Sequence, residues 1–372
     1  MFEEIKKLGF GLMRLPKIDD ETIDVEQVKV MVDHFLDAGF NYFDTARVYP
    51  GSEAAIKEAL VDRYPRDKYF LATKNASWVN CKTREDAIAQ FETSLATTGA
   101  GYFDFYLLHN LGMPRTKIAD DFDMWGFVKQ KKEEGLIKHY GFSFHSTPEE
   151  LDELLTKHHD VDFVQLQINY ADWENPAVKS RECYEVVRKH GKRVIIMEPV
   201  KGGMLANPPE ALKKIFDKAE PDSSYPSWAI RFAASLDGVL VVLSGMSDIA
   251  QMDDNLKTMK DFNGLSKDEE KVIKEVRKEL DKIKLTGCTS CKYCTEVCPN
   301  SIAIPWMFSA LDSLSLFGDK EKAMKQYSNI FVRDPSKNNA SSCLECGACE
   351  DACPQHLHIR DLLKEVRKEF ED

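Results

Sequence analysis

The segment Tyr69–Asn110, YFLATKNASWVNCKTREDAIAQFETSLATTGAGYFDFYLLHN, decides how the first part of the chain folds. It opens with a nearly continuous apolar run, Tyr69–Lys74. An amphipathic stretch follows, Arg84–Thr97, closed by Gly99 as a helix stop. A second apolar run, Phe103–His109, completes it. Two unbroken apolar runs around one helix are the pattern of parallel strands buried on both faces. The same pattern extends in both directions. Candidate strands lie at Lys7–Met13, Asn41–Thr45, His139–His145, Phe163–Asn169, Arg193–Pro199 and Gly238–Gly245. Between them, Val25–Ala38 is a helix closed by Gly39. Another helix starts at Thr147, with Thr147 as N-cap and Pro148 in the first helical position. Eight strand–helix units in about 250 residues predict an α/β fold, a (β/α)8 TIM barrel. An open doubly wound sheet is the alternative, weakened because no G-x-G-x-x-G follows the first strand.

Beyond the barrel the composition changes. Leu265–Lys284 is a charged helix with apolar positions at helical spacing, and Ser266 with Glu269 forms a capping box. From about Thr286 the chain carries eight of its ten cysteines. Cys288, Cys291, Cys294 and Cys298 read C-x2-C-x2-C-x3-C before Pro299. Cys343, Cys346, Cys349 and Cys353 repeat the run before Pro354. This is the spacing that wraps [4Fe–4S] clusters in bacterial ferredoxins, where the fourth cysteine of each run ligates the other cluster. The expected sets are therefore Cys288, Cys291, Cys294 and Cys353 for one cluster, and Cys343, Cys346, Cys349 and Cys298 for the second. Zinc sites pair cysteines across a wider gap, and disulfide frameworks belong to small secreted chains. The spacer reads as helices at Trp306–Leu316 and Lys320–Ile330, and a last helix at Ile359–Phe370. A small, mainly helical ferredoxin-like domain is expected. The expected division is 1–265 for the barrel, 266–285 for a linker helix and 286–372 for the cluster domain. Cys81 and Cys183 read as ordinary reduced thiols.

The formal net charge is -12 over 372 residues. Nucleic acid is held by basic surfaces, so neither nucleic acid nor an anionic membrane surface is an expected partner. No run approaches the 18 apolar residues of a membrane span. The opening residues MFEEIKKLGF carry no apolar leader, and free thiols with oxygen-sensitive clusters suit a reducing cytoplasm.

Barrels of this kind place their chemistry at the C-terminal ends of the strands. Those ends carry Asp44, with Tyr49 five residues on, then Lys74 and His109: four polar or ionisable side chains on one rim. The chain here resembles the aldo-keto reductases. The resemblance rests on NYFDTARVYPGSE, FLATK, FDFYLLHN, GLIKHYGFSFH, FVQLQIN, VIIMEPVKGG and VVLSGMSDIAQMDDNL, which occur in family order across residues 5–262. It implies Tyr49 as general acid toward a carbonyl oxygen, Lys74 lowering its pKa, Asp44 paired with Lys74, and His109 orienting the carbonyl or sharing the proton. A phenol titrates near pH 10, and a neighbouring ammonium brings it toward the working range.

The same resemblance implies a nicotinamide across the mouth. Ser143 and Gln165 match carboxamide-binding positions, and Asn255 matches one near the adenine end. Met197 stands where an aromatic residue usually stacks, and Phe144 replaces an Asn. Gly245 and Gln251 replace the Lys and Arg that grip the 2′-phosphate of NADP, so NADP, NAD and a flavin all stay open. His145 is an extra ionisable group at the mouth. The whole chain resembles a subset of the family with an appended ferredoxin-like domain, on CTSCKYCTEVCPNSIAIP and CLECGACEDACPQHLHIRDLLKEV.

The expected activity is carbonyl–alcohol interconversion coupled to one-electron transfer through two [4Fe–4S] clusters. The alternatives are a nicotinamide-dependent carbonyl reductase with structural or sensing clusters, and a non-catalytic relay. Expected partners are a small carbonyl or alcohol substrate and a redox protein. Loops Asn75–Thr83, Leu111–Asp123 and Lys201–Ser227 offer Trp78, Trp125, Trp173 and Trp228 as pocket walls, each equally readable as packing.

Overall fold

The computed structural model describes all residues of the chain except 1, 20, 113, 177 and 263. It divides into two compact units. One comprises 1–174, 179–199 and 227–265; the other comprises 175–178, 200–226 and 266–372.

The first unit is a closed barrel of eight parallel strands in sequence order. They are β1 (Leu8–Gly11), β2 (Tyr42–Asp44), β3 (Phe70–Asn75), β4 (Phe103–Leu111), β5 (Ile137–Phe144), β6 (Phe163–Gln167), β7 (Arg193–Met197) and β8 (Val239–Ser244). The helix in the decisive segment runs Arg84–Thr98. Thr83 caps it in a reciprocal capping box with Asp86, and Gly99 ends it at φ 65°. Thr147 caps helix Pro148–Lys157 by accepting from the Glu150 amide.

Side chains alternate across a strand with a period of two, and this period organises the barrel interior. Tyr42, Ala72, Phe105, Leu107, Phe163, Ile195, Val241 and Leu243 share one buried apolar cluster. Phe105 lies 5.0 Å from Tyr42 and 5.2 Å from Phe163, edge to face in both cases. Two residues further along each strand, the parity that put Tyr42, Ala72, Leu107 and Phe163 on the inner face brings Asp44, Lys74, His109 and Gln165. Apolar layers therefore lie beneath a polar one.

Gly141 is what lets β5 and β6 close up. A Cβ there would come 2.2 Å from the Phe163 carbonyl oxygen, its partner in the ladder.

In the second unit, helices Ile304–Phe317, Lys320–Arg333 and Ile359–Phe370 enclose one core. Tyr327 stacks on Phe370 with centroids 5.0 Å apart. Cys294, Cys349 and Cys353 belong to that core.

The stretch Lys201–Ser227, expected as an open substrate loop, is largely ordered. It holds a helical turn Lys201–Ala206, helix Glu210–Ala219 and the start of helix Tyr225–Ser235, and through residue 226 it belongs to the second unit. Helix Glu210–Ala219 packs there against helix Lys267–Leu280, whose Ser266–Glu269 capping box is formed. The apolar stripes Leu212/Phe216 and Ile273/Val276/Leu280 need burial, so these two helices cover one another. Among the described residues no helix is long and apolar enough to cross a membrane.

Gly141→Ala should lower the barrel's unfolding free energy by about 1–3 kcal/mol, the usual range for overpacking, read as a fall in thermal midpoint.

Candidate active site and cysteine cradles

The four rim residues converge. Lys74, on β3, is 1 % exposed and Asp44, at the end of β2, is 3 % exposed. The Lys74 ammonium donates to Asp44 Oδ1 and to the Thr45 carbonyl, the latter at 2.7 Å. Burial lowers the pKa of Lys74 and raises that of Asp44, and their mutual contact opposes both shifts. Gln165 on β6 donates to the other Asp44 oxygen at 3.4 Å.

The Lys74 Nζ lies 5.0 Å from the centre of the Tyr49 ring, and Tyr49 itself is half-buried. His109 meets that ring edge-on, centroids 5.9 Å apart at 83°. Burial pushes the His109 pKa well below its ordinary value, helped by Lys74, His145 and Arg115. Its imidazole is therefore neutral at working pH. Its Nδ1 has no hydrogen-bond partner among the described residues.

The remaining sequence candidates separate. Ser143, on β5, accepts the Asn110 amide at 2.7 Å, which leaves its hydroxyl proton to donate elsewhere. Met197 ends β7, half-buried. Asn255 donates to Ser244 at 3.0 Å. Gln251 is committed to its own helix start, accepting from the Ser247 amide at 2.9 Å and donating to Asp248 at 2.8 Å. Arg14 fills the space above Gly245 and pairs with Glu198 at 3.3 Å.

The tryptophans also separate. Trp125 stacks on His158 at 3.8 Å and Trp228 is fully buried, so both are core packing. Trp173 packs on Tyr184 and Phe232, each at 5.6 Å. Trp78 is the one beside the tetrad, its indole N–H donating to the His109 carbonyl at 3.1 Å. Residue 113, in the Leu111–Asp123 loop, lies outside the described residues.

Sequence reading missed Arg115. It is 9 % exposed, sits 4.8 Å over the Trp78 ring and donates to Asn110 at 3.3 Å. Nothing in a lone basic residue of a loop distinguishes it from a solvated one before folding.

The cysteines form two cradles. One cavity is lined by Cys288, Cys291, Cys294 and Cys353. Another is lined by Cys298, Cys343, Cys346 and Cys349. The last cysteine of each run stands in the other run's cradle. The eight thiols surround these cavities instead of meeting at a point. Among the described residues no three His, Cys, Asp or Glu side chains are arranged to hold a single metal ion. Four thiols around one cavity are the donor set that a [4Fe–4S] cluster takes.

The two runs are also conformational copies. The backbone is left-handed at Ser290 and Lys292 in the first and at Glu345 and Gly347 in the second, the same steps after the leading cysteine. In each run the amide of that first left-handed residue points at the leading sulfur at 3.4 Å. Burial pushes the Cys288 and Cys349 thiols up to about 11, so ligation there must displace protons.

The aldo/keto reductase family model matches residues 7–278, and a 4Fe-4S dicluster domain model matches 280–355. This chain belongs to the aldo/keto reductase family. An aldo-keto reductase of Mycolicibacterium vanbaalenii is 30 % identical over 210 residues, covering 55 % of this chain and 69 % of its own length. An uncharacterized oxidoreductase of Bacillus subtilis is 26 % identical over 214 residues, covering 55 % and 68 %. Among solved structures, an aldo-keto reductase of Bacillus halodurans in holo form superposes with a TM-score of 0.58 at 24 % identity, covering 73 % of this chain and 91 % of that one. One from Klebsiella pneumoniae in complex with NADPH gives 0.58 at 18 %, with the same coverage. These likenesses cover the barrel and bear on its fold; the chain is an oxidoreductase of this family with an appended iron–sulfur domain.

Lys74→Met strands a buried carboxylate and should cost about 3–5 kcal/mol in stability. Adding Asp44→Asn should restore part of it, as read by chemical denaturation of the double variant against the single one.

Proposed function

We propose that the barrel interconverts a small carbonyl compound and its alcohol, with Tyr49 as general acid and base, and that its electrons are exchanged one at a time through two [4Fe–4S] clusters in the cysteine cradles. The observation that carries the first part is the Lys74 ammonium, buried against Asp44, beside the Tyr49 ring.

In reduction, the Tyr49 hydroxyl gives its proton to the carbonyl oxygen and a phenolate forms. The Lys74 ammonium stabilises that phenolate, which lowers the barrier to giving up the proton. Asp44, braced by Gln165, holds the ammonium charged and in position. His109 is neutral, so its part is a hydrogen bond that orients the carbonyl oxygen, and the transferred proton comes from Tyr49. Trp78, through the His109 backbone, steadies that imidazole.

The hydride donor or acceptor would be a nicotinamide, which when bound supplies a hydrogen with its electron pair to the carbonyl carbon, the separate proton on oxygen coming from Tyr49. Ser143, with its free hydroxyl proton, and Gln165 would hold the carboxamide; Met197 would lie against the ring and Asn255 near the adenine. NADPH is bound by the Klebsiella relative, and this barrel shares its fold. The 2′-phosphate grip is weak here, because position 245 has no side chain and Gln251 is engaged by Asp248. Such a site should accept NAD(H) with little penalty, since charge-assisted contacts to the phosphate are what make NADP tight.

A hydride is two electrons, whereas a [4Fe–4S] cluster moves one. Coupling them takes a carrier able to do both, a flavin being the usual one, or a substrate that passes through a one-electron state.

Tyr49→Phe should lower carbonyl reduction by about 10²–10⁴-fold, the range for removing a general acid. Nicotinamide affinity, measured by fluorescence titration, should change little; turnover at the parent rate would refute the assignment. An anaerobically isolated sample should hold about eight iron and eight sulfide per chain. Cys291→Ser should remove roughly half of that iron and leave the rest, and a variant that keeps its full iron content would overturn the ligand sets.

A further inference from the structure

The two cradles are built on one plan. Two residues before the leading cysteine of the first run, Thr286 gives its amide and its hydroxyl to the Asp312 carboxylate, at 2.7 and 2.8 Å. The same hydroxyl accepts the Cys288 amide at 3.3 Å. Two residues before the leading cysteine of the second run, Ser341 gives its amide to Glu371 at 2.9 Å and its hydroxyl to the same oxygen. A carboxylate from a distant helix or its end thus staples each cysteine loop at the equivalent residue.

The surroundings of the two differ. The first cradle is lined by the buried Thr289, Pro305, Phe308 and Gln355, with Lys292 as its exposed edge and no exposed cysteine. The turn Lys201–Gly203 closes on it within the same unit: Gly202, at φ 65°, leaves no room for a Cβ, which would lie 2.6 Å from the Thr289 carbonyl oxygen. Lys201 is 5 % exposed and its charge acts on Asp312. The second cradle opens outward. Cys346 is exposed, and Leu344, which also lines the cavity, is 65 % exposed. Its staple, Glu371, is partly exposed and shares its carboxylate with the Tyr327 hydroxyl.

Electron transfer falls off steeply with the distance between redox centres, so a cluster with a ligand at the surface exchanges faster than a walled one. We propose that the two sites are ordered: the cluster held by Cys298, Cys343, Cys346 and Cys349 is the outer port, where a one-electron donor or acceptor in solution reacts, and the cluster held by Cys288, Cys291, Cys294 and Cys353 is the inner one. This rests on the reading that both cradles hold [4Fe–4S] clusters. With clusters bound, an electron from an external one-electron donor would enter at the site held by Cys298, Cys343, Cys346 and Cys349 and pass on to the site held by Cys288, Cys291, Cys294 and Cys353. No bond breaks and no proton is needed.

Asp312 and Glu371 allow each cluster to be addressed separately. In full-length protein, reconstituted anaerobically and reduced with dithionite, each cluster's EPR signal is followed through a redox titration. Aqueous dysprosium complex is then added as a relaxation agent. Asp312→Asn removes a buried negative charge beside the first loop. It should shift one midpoint upward by about tenfold in the one-electron equilibrium, roughly 59 mV, and that signal should be the one dysprosium relaxes less. Glu371→Gln should perturb the other signal, the more strongly relaxed one. If Asp312→Asn loses its cluster outright, the survivor should be the strongly relaxed signal. Equal relaxation of both signals, or an Asp312→Asn effect on the strongly relaxed one, would overturn the ordering. Absence of iron and sulfide from the parent sample would instead sink the cluster reading itself.

Discussion

An ammonium and a carboxylate buried together inside a barrel are expensive to desolvate. Hydrophobic residues of similar volume would hold the strands at least as well. The burial of the Lys74–Asp44 pair is thus a cost that its neighbours offset with hydrogen bonds. The Thr45 carbonyl takes a second ammonium proton and Gln165 reaches the second carboxylate oxygen. His109 stays neutral partly because that cation is near. The same cation lies 5.0 Å from the centre of the Tyr49 ring.

The apolar layers beneath serve the same end. Tyr42, Phe105 and Phe163 fill the barrel's interior with aromatic contacts, and the strand period then delivers polar residues to the next layer without any choice of loop. The positions that matter are on strands, or, for Tyr49, one turn beyond. Loops supply the surroundings: Trp78 from the β3 loop and Arg115 from the β4 loop adjust the field at His109 and the walls around it.

The second unit solves a different problem with a repeat. Eight thiols line two cavities, and burial raises the pKa of Cys288 and Cys349, which resists their ionisation. Matching left-handed residues bend each loop, amides point at the leading sulfurs, and Asp312 and Glu371 tie each loop to the helical core. The duplication explains why the spacing recurs so regularly, and the exchange of fourth cysteines explains why neither run is a site by itself.

Residue order alone determined the eight strand–helix units, and it singled out the tetrad positions and the two cysteine sets as candidates, because each follows from a local period or a fixed spacing. Parallel strands buried on both faces read as apolar runs, and Asp44, Lys74 and His109 fall where those runs end. Folding had to decide whatever depends on which distant segments meet. The 200–226 stretch looked like an open loop, yet its helix Glu210–Ala219 joins the second unit by pairing apolar stripes with Lys267–Leu280. Trp125 and Trp228 read equally as pocket wall or packing, and the fold makes both core. The burial of Arg115, the commitment of Gln251 to Asp248 and the unequal walls of the two cradles have no signature in spacing, because burial is a property of the neighbours and those are chosen only in three dimensions.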